Sequence, residues 1–379
     1  MKKYLMTPGP TPVPPRVLQA MHRPMIHHRS QEYGKLLGEV TEGLRYVLQT
    51  RNDILVFGSS GTGGMEAAVV NLLSPKDRIL IVSTGVFGER FVKIAKRFGV
   101  DVETIPVEWG QTVDPELVSK KLVKSRGIRA VFATLMETST GVTNNIQALG
   151  EIVGKYPAVL VVDAISGLGS EDLRTDAWGV DVVISASQKG LMTPPGLSLM
   201  SISPKAWKLV QEAKLPRFYW DFRSYREFLG RPNPQNPYTP AVSLIYGLRE
   251  ALKMIREEGL AKVLRRHERL AASTRACMKA LGLELFAKAR PANGLTAVKV
   301  PQGVDGLDLL KTLHQRYGVT VAGGQERLRG KIFRVAHMGY IDISHVIGGL
   351  KALERSLSEL GYPVESGAGV RAARRGWKE

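Results

Sequence analysis

Two apolar runs in the middle of the chain each lead to a residue able to do chemistry. "VLVVD" stops at Asp163, and "VDVVISAS" is followed by Gln188 and Lys189. If both runs are strands of one parallel sheet, the acid and the amine stand on its carboxyl edge, where open α/β sheets bind ligands. A third element belongs with them. The loop "GSSGTGG", Gly58–Gly64, follows an apolar run and precedes the helix-like "GMEAAVVNLL". There Ser60, Gly61 and Thr62 would present N–H groups and hydroxyls at a helix N-terminus, a ready phosphate site. A merely tight strand–helix turn would look the same. The loop lacks the last glycine of G-x-G-x-x-G and carries no Gly-Lys pair, so it is neither a dinucleotide fingerprint nor a P-loop. Together the loop, the acid and the lysine match the polar ends of pyridoxal 5'-phosphate (PLP). These are a phosphate, a pyridine nitrogen that needs an acid, and an aldehyde that takes a lysine.

The elements that must hold these residues alternate. "DILVFGS" (Asp53–Ser59), "RILIVS" (Arg78–Ser83), "VDVETIPV", "RAVFATLM", "AVLVVD", "VDVVISAS" and "LSLMSIS" read as strands. Helical stretches separate most of them, including "ERFVKIAKRFG", one near Pro115–Ser125 and one around Ile146–Lys155. Apolar runs with little alternation predict strands buried on both faces, as in a parallel sheet between helices. The fold class is α/β, with a mostly parallel sheet in the larger part. The proline-rich "RPNPQNPYTP" (Arg231–Pro240) leads to one long helical stretch, about Ser243 to Leu281. Leu283 to Tyr362 reads as strand, helix, strand, helix, a smaller α/β unit. The expected division is an N-terminal arm (1–15), a large PLP-binding domain (16–258) and a small C-terminal domain (259–379) with a basic tail.

Composition bounds the partners. The chain has 379 residues, 44% of them hydrophobic, enough for about two well-buried domains. No apolar run reaches the ~18 residues of a spanning helix. The start, "MKKYLMTPGPTPVPP", has prolines where a signal peptide needs an apolar stretch. The lone Cys277 permits no intrachain disulfide, and the expectation is a reducing cytoplasm. The net charge of +18 favours anionic partners, nucleic acid included. Its lysines and arginines are scattered along the chain, densest only in Arg371–Lys378. The plainer reading is a solvated basic surface and a frayed tail.

With these residues in view, the chain resembles the class V aminotransferases of fold type I, especially alanine–glyoxylate and serine–pyruvate aminotransferases. "TPGPTPVPP", "GSSGTGGMEAAVVNLL", "GVFGER", "METSTGV", "VVDAISGLGS", "SASQKGLMTPPGLSL", "YTPAVSLIYGLREAL" and "GKIFRVAHMGY" carry the resemblance nearly end to end. It implies a Schiff-base lysine in Lys189 and, in Asp163, the acid that keeps the pyridine nitrogen protonated. Ser60, Gly61, Thr62 and Gln188 would serve the phosphate. Phe87 would stack on the ring, where many relatives carry tryptophan, and Thr138 would bond near the ring hydroxyl or Asp163. Arg334 would clamp the substrate α-carboxylate, with Gly9 beside it, because a guanidinium gives a planar fork. Thr239 would reach the phosphate in the neighbouring subunit, so a homodimer with shared sites is implied. Asn236 or Tyr238 would stand where the family often has a tyrosine.

The expected activity is a ping-pong transamination from alanine or serine to glyoxylate or pyruvate. A same-fold lyase or cysteine desulfurase is the rival, and a nucleic-acid or partner-binding protein a more distant one. Against a desulfurase, Cys277 lies in the helical "STRACMKALG" rather than in a flexible loop. His27 and His28 are adjacent and no H-E-x-x-H occurs, so no metal site is expected. His337, close after Arg334, is placed at the site entrance.

Overall fold

The computed structural model describes residues 3–378. Its main feature is a seven-stranded sheet. The strands lie in the order Asp53–Gly58, Leu197–Ile202, Val182–Ala186, Val159–Asp163, Ile128–Thr134, Arg78–Ser83 and Asp101–Pro106. Neighbours pair in parallel, except that Leu197–Ile202 runs against both of its own. Alternation along each strand feeds two cores. Ile54, Val56, Leu80 and Val82 pack into one, and Leu55, Phe57, Ile79 and Ile81 into the other. A strand buried on both faces reads as an unbroken apolar run whichever way it points. The direction of Leu197–Ile202 is therefore invisible in its hydropathy.

One consequence of the parallel frame decides the rest. The strands ending at Gly58, Ser83, Thr134, Asp163 and Ala186 all finish on one edge. Asp163 is in register with Ile184 on one side and Thr134 on the other. The turn after Ala186 therefore starts beside the acid.

A second, antiparallel sheet has Ile332–Ala336 at its centre, between Leu295–Lys299 and Ala322–Gly323. It packs its Phe333 and Val335 on Cys277, Leu309 and Leu353 from neighbouring helices. The N-terminal arm joins this part, since Tyr4–Leu5 pairs in parallel with Val319–Thr320.

Two expectations need correction. The stretch Ser243–Leu281 is two helices, Val242–Glu258 and Leu260–Ala280, divided at Gly259. Gly259 has φ 87°, a left-handed conformation that glycine tolerates and that ends the first helix. The basic tail does not fray. Ala368–Lys378 is a helix lying along Leu260–Ala280. Ala372 and Ala373 are buried, Ser273 Oγ donates to the Ala373 carbonyl at 2.8 Å, and Arg269 Nε donates to that of Trp377 at 3.0 Å. Arginines dominate the segment's composition. The apolar stripe of Val370, Ala373 and Trp377 at helical spacing decides its structure. Among the described residues no helix is long and apolar enough to cross a membrane.

Candidate active site

The carboxyl edge of the large sheet gathers most of the expected residues. Asp163 ends its strand 3% exposed, and its Oδ1 accepts from the backbone N–H of Ile165 at 2.8 Å. Among the described residues no N–H or hydroxyl bonds Oδ2. Burial is the main force that brings the carboxyl up to about 7, and the nearby Glu137 carboxylate adds to the rise. The Ile165 N–H, Lys189 and Arg90 pull it down. Lys189 follows the next strand. Burial is the main force that brings its amine down to about 8; Asp163 opposes, while Arg334 and Arg90 add to the fall. An amine so placed is neutral in a large fraction near pH 8, which is the form that can accept a proton.

The N-terminal arm closes over this lysine. Its Nζ donates to the Pro8 carbonyl. Thr11 holds the turn from the other side, with Oγ1 donating to the Lys189 carbonyl at 2.9 Å and N–H to that of Gln188 at 3.1 Å. Gly9 lies against the lysine stem. A Cβ there would come within 2.5 Å of Lys189 Cδ, Cε and Nζ, and its φ of +114° suits glycine alone. Gly9 is thus brought to the site, against the lysine.

The phosphate loop keeps its donors free. Ser60 is the N-cap of helix Gly61–Leu72, yet its side chain makes no capping bond. Ser30 and Ser203 do cap their helices. Thr62 Oγ1 accepts from Arg90 Nη1 at 2.9 Å. The side-chain amide of Gln188 makes no hydrogen bond, and its Oε1 is buried. Buried polar groups in folded proteins are nearly always paired. An uncapped helix start and the side-chain N–H donors of Gln188 on one edge fit a bound phosphate, and Asp163 Oδ2 and Lys189 fit the other ends of PLP. The described residues contain no cluster of three or more potential metal ligands.

Phe87 opens the helix Val86–Arg97 after the strand Arg78–Ser83. Its N–H and that of Gly88 donate to Glu137 Oε2 at 3.1 and 3.2 Å. Glu137 also accepts from Ser139 Oγ at 2.6 Å. This fully buried carboxylate is raised by desolvation, and its four hydrogen bonds oppose the shift. It pins the Phe87 turn to the loop carrying Thr138. Thr138 Oγ1 itself donates to Ser166 Oγ at 2.6 Å, beside rather than on Asp163.

Arg334 comes from the centre of the second sheet and is 5% exposed. Its Nε and Nη2 donate to the Gly323 carbonyl at 2.9 and 2.7 Å, and Nη1 to that of Thr138 at 3.0 Å. Burial lowers it to about 10, and Glu137 opposes. The guanidinium is thus held in place by its own sheet and by the turn that carries Thr138.

Other residues fall elsewhere. Thr239 is exposed, in a cleft with Ile26, His27, His28 and Leu244. Asn236 is buried and spent inside the chain. It accepts from Tyr33 OH at 2.5 Å and donates to the Val56 carbonyl at 3.0 Å. Tyr238 stacks on Tyr219, ring centres 5.2 Å apart. His337 is not at an entrance. It is fully buried, bonded to Thr296, and pushed down to about 3 by burial. Cys277 is buried in its helix, with its thiol pushed up to about 12 by desolvation.

Glu137 and Arg90 were quoted within motifs yet given no role. Nothing in their residue types marks them. Arg90 stands at the spacing of three from Phe87 that shares a helix face, the one signal available.

Comparison with known proteins shows the family. The aminotransferase class-V family model matches residues 3–344. The soluble hydrogenase 42 kDa subunit of Anabaena cylindrica is 44% identical, over 99% of this chain and 98% of that one. The L-aspartate–glyoxylate aminotransferase of Paracoccus denitrificans is 37% identical over 99% and 96%. The serine–glyoxylate aminotransferase of Arabidopsis thaliana is 35% identical over 98% and 94%. Among solved structures, ureidoglycine–glyoxylate aminotransferase from Bacillus subtilis superimposes with a TM-score of 0.96 at 30% identity, covering 100% of this chain and 99% of that one. The chain belongs to the class V aminotransferases, PLP-dependent enzymes of fold type I.

Proposed function

We propose that this aminotransferase moves an amino group from a small neutral amino acid, alanine or serine, to glyoxylate or pyruvate, in a ping-pong cycle. The observation that carries the reading is Arg334, a buried guanidinium fixed by the Gly323 and Thr138 carbonyls and electrostatically coupled to Lys189. It supplies one carboxylate clamp, enough for a monocarboxylic donor and for a 2-oxo acid in turn. Serine–glyoxylate and aspartate–glyoxylate relatives support glyoxylate as acceptor and leave the donor open between them.

When bound, PLP supplies the electron sink for the bond broken at the substrate α-carbon. The chain's residues do the rest. Arg334 orients the α-carboxylate. Lys189 Nζ, brought down to about 8 by burial so that a neutral fraction is available near that pH, takes the α-proton and returns it at the far end of the reacting system. Asp163 Oδ2 offers a negative partner to the pyridine nitrogen, and a cation placed there draws the carboxyl back toward ionisation. Phe87, held by Glu137, offers its face to the ring.

The hydrogenase named in one relative suggests no parallel chemistry here. Iron–sulfur clusters are held by several cysteine thiolates, and this chain has one cysteine. A desulfurase would need Cys277 mobile and ionised, and it is buried in a helix with a raised pKa.

Purified protein should show highest kcat/KM with alanine or serine against glyoxylate in a donor-by-acceptor panel. Aspartate or glutamate in the lead contradicts the donor assignment, and product formed without any oxo acid favours a lyase. Arg334→Leu should lower kcat/KM for every donor by roughly 10- to 100-fold, the loss of a charged hydrogen bond, while the protein keeps its cofactor. No loss with any donor removes Arg334 from the clamp.

The exposed position of Thr239 supports a homodimer in which this residue reaches the partner's phosphate site. Mixed dimers of Lys189→Ala and Thr239→Ala should then recover activity that neither variant has alone. A fully active monomer by light scattering under assay conditions contradicts the shared site. Borohydride treatment of the cofactor-loaded protein should fix the label on Lys189 in a peptide map. A label on another lysine refutes the attachment.

A further inference from the structure

Phe87 and Arg90 lie on one face of the helix Val86–Arg97. The Arg90 guanidinium carbon stands 4.6 Å from the centre of the Phe87 ring. Its Nη1 donates to Thr62 Oγ1 at 2.9 Å, in the first turn of helix Gly61–Leu72. Two anchors therefore hold a long, flexible side chain beside the phosphate loop.

The charge of this group is unmatched. Arg78 pairs with Glu103, and Arg266 with Glu258, but among the described residues no carboxylate pairs with Arg90. A helix start is itself electropositive. A half-buried guanidinium set against it, with no ion-pair partner among the described residues, places two positive potentials together. That arrangement is costly unless an anion joins them. Every other group assigned to the phosphate is neutral: Ser60, Gly61, Thr62 and Gln188. Lys189 points its amine at the Pro8 carbonyl. A phosphate monoester carries roughly −1.5 to −2 at pH 7 and bonds guanidinium groups well.

We propose that Arg90 is a phosphate-binding residue of the cofactor site, supplying the formal positive charge that the neutral loop lacks. The proposal rests on the PLP dependence of the family. Arg90 acts electrostatically on both Asp163 and Lys189, which places it at the same cleft. Committed to the phosphate, it leaves Arg334 to serve the substrate, in keeping with donors that carry one carboxylate.

The test compares PLP with pyridoxal, which lacks the phosphate. Full-length protein is freed of cofactor, and Kd for each is read from absorbance and tryptophan quenching. Arg90→Gln should raise the Kd for PLP by about 10- to 100-fold and leave that for pyridoxal within about threefold. Arg90→Lys, which keeps the charge without the fork, should recover part of the loss. Inorganic phosphate should compete with PLP in wild type and lose that ability in Arg90→Gln. The melting temperature without cofactor should match wild type. An unchanged Kd for PLP overturns the proposal. So does an equal loss for PLP and pyridoxal, which would make Arg90 a support for Phe87. A selective rise in KM for aspartate, with PLP binding intact, would overturn it by assigning Arg90 to a substrate carboxylate. Wild-type protein that binds no PLP would overturn the cofactor assignment as well.

Discussion

Everything at this site depends on one shared, desolvated edge, where Asp163 and Lys189 have both lost water. Burial alone would neutralise each. Each opposes that tendency in the other, and Arg334, Arg90 and Glu137 bias the balance. The result is an acid near 7 and an amine near 8, two groups able to change protonation in the range where an enzyme works. The register between the strands fixes their neighbourhood, since Asp163 opposes Ile184 and the lysine turn follows shortly after.

The remaining groups come from afar and are tied in by backbone bonds. The arm delivers the Pro8 carbonyl and Thr11 to the lysine turn, nearly the whole chain length from the strand that delivers Arg334. Arg334 donates to Thr138, in the turn beyond the strand Ile128–Thr134, and to Gly323 of its own sheet. On the proposed role, a substrate carboxylate would share a guanidinium already held in position, which favours orientation over reach. Glu137 plays the corresponding part for Phe87, spending its carboxylate on backbone N–H groups. Movement of the second sheet against the first would shift Arg334 relative to Lys189, so on the proposed roles the packing between them bears on chemistry as well as stability.

Much of this was legible because chemistry concentrates at strand ends. Asp163 and Lys189 stand out as polar residues closing apolar runs, and the glycine- and serine-rich Gly58–Gly64, which leads from a strand into the helix starting at Gly61, stands where a phosphate would sit. The antiparallel strand Leu197–Ile202 was not legible, because complete burial erases the alternation that would reveal its surroundings. Helix Ala368–Lys378 was masked by its own charge, its buried stripe being made mainly of small residues. His337 carries a reactive side chain into a core position, where Thr296 satisfies it and burial keeps it neutral. Arg90 is one of many basic residues in the sequence, and only the fold sets it against Thr62 with no ion-pair partner among the described residues.

The central claim is that desolvation holds the Lys189 amine near 8 and that Asp163 opposes the fall. Competitive labelling of the cofactor-free protein with an amine reagent, followed by mass spectrometry of the Lys189 peptide, measures this directly. The neutral amine is the reactive form, so labelling should rise with pH through a midpoint close to 8 in wild type. In Asp163→Asn, which removes the charge that raises it, the midpoint should fall below the wild-type value. A wild-type midpoint at the ordinary lysine value near 10.5, or one that stays or rises in Asp163→Asn, would contradict the account.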